Sequence, residues 1–173
     1  MIKHLFLFVA FFLSVANFAH ADGNCTKSSA AIIKVFDQGI ALNEKYKKSV
    51  ASGDPTSYRQ LRVQVEKLNE ENVIPCVERA GEILSTLNEP KLVHKLLQLV
   101  VSYENSADET ISYSLGLIFG ANPQMLENAL KRFTPSENKL IVERLEGGWL
   151  NAKSNFKKEV IKDRKQRLQK LHF

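Results

Sequence analysis

The stretch Ile111–Phe133, ISYSLGLIFGANPQMLENALKRF, decides the fold. Once the N-terminal segment is set aside it is the most apolar run of the chain, and it contains its own corner. Gly120 is placed to end one helix in a left-handed turn, and Asn122 with Pro123 to start the next as N-cap and first-turn proline. Two short apolar helices joined by about three residues pack against each other. Their remaining apolar faces then need partners of the same kind, so helices are expected on both sides.

Downstream, Thr134-Pro135-Ser136-Glu137 reads as a capping box with proline at the first helical position. The helix it opens carries Leu140, Ile141 and Leu145 and is expected to end at Gly147-Gly148, just before Trp149. A last helix follows over Ser154–Leu171, with Phe156, Val160, Ile161, Arg164, Leu168 and Leu171 on one stripe.

Upstream, Thr26–Ser52 places Ile33, Phe36 and Ile40 at helical spacing and stops at Gly53. Asp54-Pro55 restarts the chain as cap and first-turn proline. Pro55–Asn72 follows, with Tyr58, Leu61, Val65 and Leu68 as its seam. Val73-Ile74-Pro75 reads as a break, Cys76–Leu87 as a third helix and Asn88-Glu89-Pro90 as a corner. Pro90–Tyr103 has a broad apolar stripe and should be central, and Glu104–Asp108 is a polar loop. No stretch alternates as a strand would. The expectation is an all-α domain of eight helices in pairs, packed as an irregular bundle or a short α-solenoid.

Paired helices with Asn, Thr or Asp before Pro at the corners resemble the hairpins of HEAT-type α-solenoid proteins. The likeness covers Pro75–Trp149 and is one of spacing. It implies stacked helix hairpins, a pattern that an irregular bundle shares.

Met1–Ala21, MIKHLFLFVAFFLSVANFAHA, has a short basic start, an apolar run from Leu5 to Ala16 and an Ala-His-Ala end. That is the pattern of a cleavable secretory signal, too short for a membrane span, with the cut expected after Ala21. The mature domain is then 22–173, periplasmic or secreted. In an oxidising compartment the two cysteines, Cys25 and Cys76, are expected to form one disulfide. They fall at the starts of the first and third helices, which suits an up-down-up arrangement.

The net charge of +5 is uneven. Residues 22–152 hold fifteen basic and seventeen acidic side chains, whereas residues 153–173 hold eight basic and two acidic. The C-terminal helix, about 153–171, therefore carries the positive excess. It can be a solvated face, bind an acidic protein partner in the cell envelope, or rest on an anionic membrane surface. Nucleic acid is disfavoured by export and by the lack of interleaved aromatics.

Beyond residue 21 only His94 and His172 remain, and no HExxH, GxSxG, Gly-rich phosphate loop or Cys/His cluster is present. No metal, cofactor or catalytic residue is assigned. Carboxylates that could cleave a glycosidic bond are Glu104, Asp108 and Glu109 around one loop, and Glu70 with Glu71. The first reading is a non-catalytic, exported protein-binding domain, for instance an inhibitor or immunity protein against an envelope-acting partner. The alternatives are a membrane-peripheral envelope scaffold and a carboxylate glycosidase. Candidate interface residues are Trp149, Lys157, Lys158, Arg164, Lys165 and Arg167; Trp149 is either core or an exposed anchor.

Overall fold

In the computed structural model, which describes residues 25, 28–103 and 109–171, helix ends fall where local chemistry asks for them. The expected signal segment, Glu104, Asp108 and His172 lie outside the described residues. Helix α1, Ser29–Ser52, is capped by the Ser28 hydroxyl, which accepts from the Ala31 N–H at 3.3 Å. It closes on Gly53 at φ 72°, the left-handed conformation that a glycine adopts without a Cβ clash. Helix α2, Pro55–Leu68, starts at Asp54, whose carboxylate accepts from the N–H groups of Thr56 and Ser57 at 3.0 and 3.3 Å. Helix α6, Pro123–Leu130, starts at Asn122, which accepts from the Met125 N–H at 3.4 Å. Helix α7, Pro135–Ala152, opens on the expected capping box: Glu137 accepts from the Thr134 N–H at 2.8 Å while Thr134 accepts from the Glu137 N–H at 3.4 Å.

The remaining helices are α3, Ile74–Thr86; α4, Pro90–Ser102; α5, Glu109–Ala121; and α8, Lys158–Leu171. Among the described residues there is no strand, and the chain is all-α, as the periodicity predicts.

Three sequence expectations are corrected. First, Val73-Ile74-Pro75 is not a break. The helix runs on from α2 into α3 through a π turn over Asn69–Val73, so α3 prolongs α2 instead of turning back. Proline inside a helix lacks the N–H and crowds the carbonyl four residues earlier, and a wider turn relieves both problems. The eight α-helical segments thus form seven helical rods among the described residues, and the up-down-up arrangement gives way to a hairpin with a prolonged second arm. Second, Gly120 does not end α5 in a left-handed turn; it is a buried, helical residue and α5 continues to Ala121. Third, Gly147-Gly148 does not end α7, which continues to Ala152.

The disulfide is present. Cys25 and Cys76 are bonded with Cα atoms 5.1 Å apart, both buried, across a sequence separation of 51 residues. In the chain-entropy picture a loop of that length contributes about 4 kcal/mol.

The core gathers around α4 and α5. On α4 the residues Leu92, Val93, Leu96, Leu97, Leu99 and Val100 are buried, so the broad stripe read from the sequence is indeed central. From α1 come Ile32, Val35 and Phe36, and α2 buries none of its residues. Helix α5 lies between α3 and α7. Its approach to α7 is limited by backbone alone: a Cβ on Gly148 would run into the Ser112 carbonyl, and one on Gly116 would lie 2.7 Å from the Trp149 nitrogen. Two side-chain hydrogen bonds tie distant elements together inside. Tyr103 donates its hydroxyl to Asn69 in the π turn at 2.5 Å, and Asn43 donates to the Ser102 carbonyl.

Candidate functional site

The charge asymmetry points to the C-terminal segment, which begins with a 3-10 turn over Lys153–Asn155 before α8. How α8 is attached decides which of its groups are available. Phe156 is the first anchor. Its ring lies on Gly120, in the space a side chain there would fill, and against Trp149 with ring centres 5.5 Å apart. Trp149 in turn meets Phe119 edge-on at 5.8 Å. Trp149 is 3% exposed, so it belongs to the core and offers no exposed anchor.

Arg164 is the second anchor. The last carbonyls of a helix have no intrahelical donor, and the helix end carries partial negative charge. The Arg164 guanidinium supplies both a donor and a cation there: Nε donates to the Phe119 carbonyl at 2.9 Å, and Nη2 to the Gly120 carbonyl at 3.0 Å. Asp163 pairs with its other edge.

Arg167 is the third anchor. It donates to both oxygens of Glu127 on α6, at 2.9 and 3.1 Å, and to Asp163 at 3.1 Å. The Glu127 hydrogen bond, followed by the Glu127 charge, raises the Arg167 pKa above its ordinary value. Ile161, Leu168 and Leu171 complete the inner side by packing on the core.

The six lysines of the segment behave differently. Lys153, Lys157, Lys158, Lys162, Lys165 and Lys170 are all exposed. None of them forms an ion pair within 4.0 Å among the described residues. The division follows side-chain chemistry. A planar guanidinium matches carbonyl and carboxylate acceptors in fixed geometry, while an ammonium keeps its hydration on a flexible stem.

Of the sequence candidates, then, Lys157, Lys158 and Lys165 lie on the open face, and Arg164 and Arg167 are turned largely to intramolecular work. Lys153, Lys162 and Lys170, which are not among those candidates, are exposed as well. The signal for the arginines was present, because Arg164 falls on the apolar stripe with Ile161 and Leu168, which is the buried side. The α6 partner Glu127 carried no local signal.

Of the carboxylates considered for glycosidic chemistry, three lie among the described residues. Glu70, Glu71 and Glu109 are each exposed, and Glu71 pairs with Lys67 at 3.9 Å. No group of three or more His, Cys, Asp or Glu side chains among the described residues is arranged to hold a metal ion.

His94, the histidine of α4, is half-buried against Phe133, with ring centres 5.0 Å apart, and its Nδ1 has no hydrogen-bond partner. Burial, and then the nearby charges of Arg132 and Lys95, push its pKa down. No protein-family model, curated protein or solved structure matches the chain.

Proposed function

We propose that this chain is an exported binding domain that docks an acidic protein surface onto the lysine face of α8 and catalyses no reaction of its own. The observation that carries the reading is the division of the cations: the arginines fasten α8 to α5 and α6, and four unpaired lysines, Lys158, Lys162, Lys165 and Lys170, are exposed on a helix so fixed, with Lys153 and Lys157 exposed just before it. A charged row on an anchored support costs less ordering on association than one on a free tail, and it steers an oppositely charged partner. Export is supported by the buried Cys25–Cys76 bridge, a bond that persists in oxidising compartments. No described helix is long and apolar enough to cross a membrane. An inhibitor or immunity protein acting on an envelope hydrolase or toxin is the concrete form of the proposal, because such a protein needs only a complementary surface. The run of every second helix, α3, α5 and α7, packed side by side is compatible with a HEAT-like hairpin stack.

The alternative, a scaffold resting on anionic lipid, is less favoured. An interfacial helix inserts its apolar side, and the apolar side of α8 is already packed on the core.

The test is a triple reversal, Lys158→Glu, Lys162→Glu and Lys165→Glu, compared with the wild-type protein in crosslinking from a native envelope extract and in flotation with anionic vesicles. The expected result is an acidic protein crosslinked at low salt by wild type and lost in the variant, with thermal stability unchanged. Crosslinking that survives the reversal, or reversal-sensitive flotation without any protein partner, refutes the proposal.

A further inference from the structure

The chain carries a second polar site, far from α8 in sequence and unrelated to the lysine row. Between α4 and the end of α6 lies a half-open pocket of about 120 Å³, with Asn88, Asn128 and Arg132 exposed at its rim and His94 half-buried. Its polar lining is Asn88, His94, Asn128 and Arg132, set against apolar walls that include Val93 and Met125. Arg132 is the only charged residue in that lining.

We infer that this cavity is a binding site for a small oxyanion, a phosphate or a short carboxylate, held by Arg132 and His94. Three features converge on that chemistry. The first is the uncompensated cation. Arg132 forms no ion pair within 4.0 Å among the described residues. The acids that line the larger cleft on the other side of His94 and Arg132, about 480 Å³, are already engaged. Asp37 pairs with Lys95 at 2.8 Å, Glu44 with Lys47 at 3.7 Å, and Glu137 closes the capping box.

The second feature is the unmet nitrogen. His94 Nδ1 is buried without a partner, and a buried polar atom left unbonded costs free energy that a ligand would recover. Phe133 packs against the same ring, with centres 5.0 Å apart.

The third is the state of Asn128. Its side-chain oxygen already accepts from Lys131 at 3.2 Å and from Gln124 at 3.3 Å. Its amide hydrogens are what it has left to offer, and they are donors. A guanidinium, an imidazole and amide groups around one small space can donate to an anion and have no free carboxylate to repel it. The volume sets the size. Pockets for drug-sized ligands run to roughly 300–1,000 Å³, so a cavity of this size takes a phosphate or short carboxylate and excludes a nucleotide.

An anion in the cavity would also act on His94. Desolvation, Arg132 and Lys95 favour the neutral imidazole, and a bound negative charge opposes all three. The other charged groups around the histidine are Asp37 and Glu44 on α1 and Glu137 at the start of α7, each with a partner already named.

The experiment is NMR titration of the isotope-labelled protein with inorganic phosphate, acetate and, as control, chloride at constant ionic strength. The signals followed are the His94 imidazole and the side-chain amides of Asn88 and Asn128. The expected result is saturable shifts confined to these residues with phosphate or acetate, together with a rise in the His94 titration midpoint. Saturation by phosphate alone identifies a phosphate site, and saturation by acetate as well identifies a general carboxylate site. Arg132→Gln, at an exposed position, should keep the fold and weaken binding by about tenfold to a hundredfold. His94→Gln, a second variant, should abolish the imidazole response and weaken the shifts at Asn128. Absence of localised shifts, equal shifts with chloride, or undiminished affinity in Arg132→Gln overturns the inference.

Discussion

Two adjacent glycines of α7 should respond in opposite directions to the same substitution. Alanine is favoured over glycine in a helix interior by about 1 kcal/mol. At Gly147, which is exposed and has nothing within 4 Å of the position a Cβ would take, only that term operates. Gly147→Ala should therefore stabilise by up to about 1 kcal/mol, which for a chain of this size raises Tm by about 2–4 °C. At Gly148 the same methyl group would run into the Ser112 carbonyl of α5. Backbone cannot rotate away, so α5 and α7 must separate by on the order of 1 Å to restore van der Waals distance. That separation loosens Leu115, Phe119, Leu145 and Trp149, all buried. Overpacking costs about 1–3 kcal/mol, and the upper end applies where the obstacle is main chain. Offset by the helical gain, Gly148→Ala should destabilise by about 2 kcal/mol and lower Tm by about 4–8 °C. Urea unfolding of both variants beside wild type measures the difference. A Gly148→Ala protein as stable as Gly147→Ala would refute the close approach of α5 to α7.

Three further outcomes follow from the same structure. Arg164→Met should leave the Phe119 and Gly120 carbonyls without their donor, at a cost of about 1.5–3 kcal/mol, and hydrogen exchange should quicken within 158–171 while α4 stays protected. Replacing both cysteines by serine, or reducing the bridge, should lower stability by about 4 kcal/mol, read as a fall in the urea midpoint with a steeper slope, because the unlinked unfolded chain exposes more surface. Because the folded-state pKa of His94 is depressed, the unfolded chain binds more protons as pH falls below its ordinary value of about 6.5. Its contribution is thus complete above that pH and declines with acidification toward the folded pKa. His94→Gln should flatten that part of the pH–stability curve, and a curve with the same slope in both proteins would remove His94 from the account.

The helix starts were legible because each rests on a few consecutive residues: Asp54-Pro55, Asn122-Pro123 and the Thr134–Glu137 box act locally, and the fold uses them as written. The disulfide was legible because it needed only a compartment and two cysteines. What escaped was set by distant contacts. Pro75 reads as a breaker unless a π turn precedes it, and that turn is held in part by Tyr103, thirty-four residues from Asn69. Gly148 reads as a stop because its neighbour, Ser112, is invisible along the chain. In the candidate site, the lysine face could be read from charge alone, and the inward turn of Arg164 from its place on the apolar stripe. The pairing of Arg167 with Glu127 joins residues forty apart and needed the fold. The meeting of His94 with Arg132 needed it too.

Helix α2 buries no residue and rests on α1 and the π turn, while the far half of α1 leaves Val50 50% exposed and α2 leaves Val63 64% exposed. The two form a cantilever whose tip at Gly53 has little apolar contact to lose on opening. Such an element unzips at low free energy, ahead of the body of the protein. Its fixed end is the Cys25–Cys76 bond, which ties Cys25 to the rod that carries α3 into the core. Fraying that starts at the tip is therefore arrested at a covalent clamp, and the interior around α4 and α5 stays closed while the arm breathes.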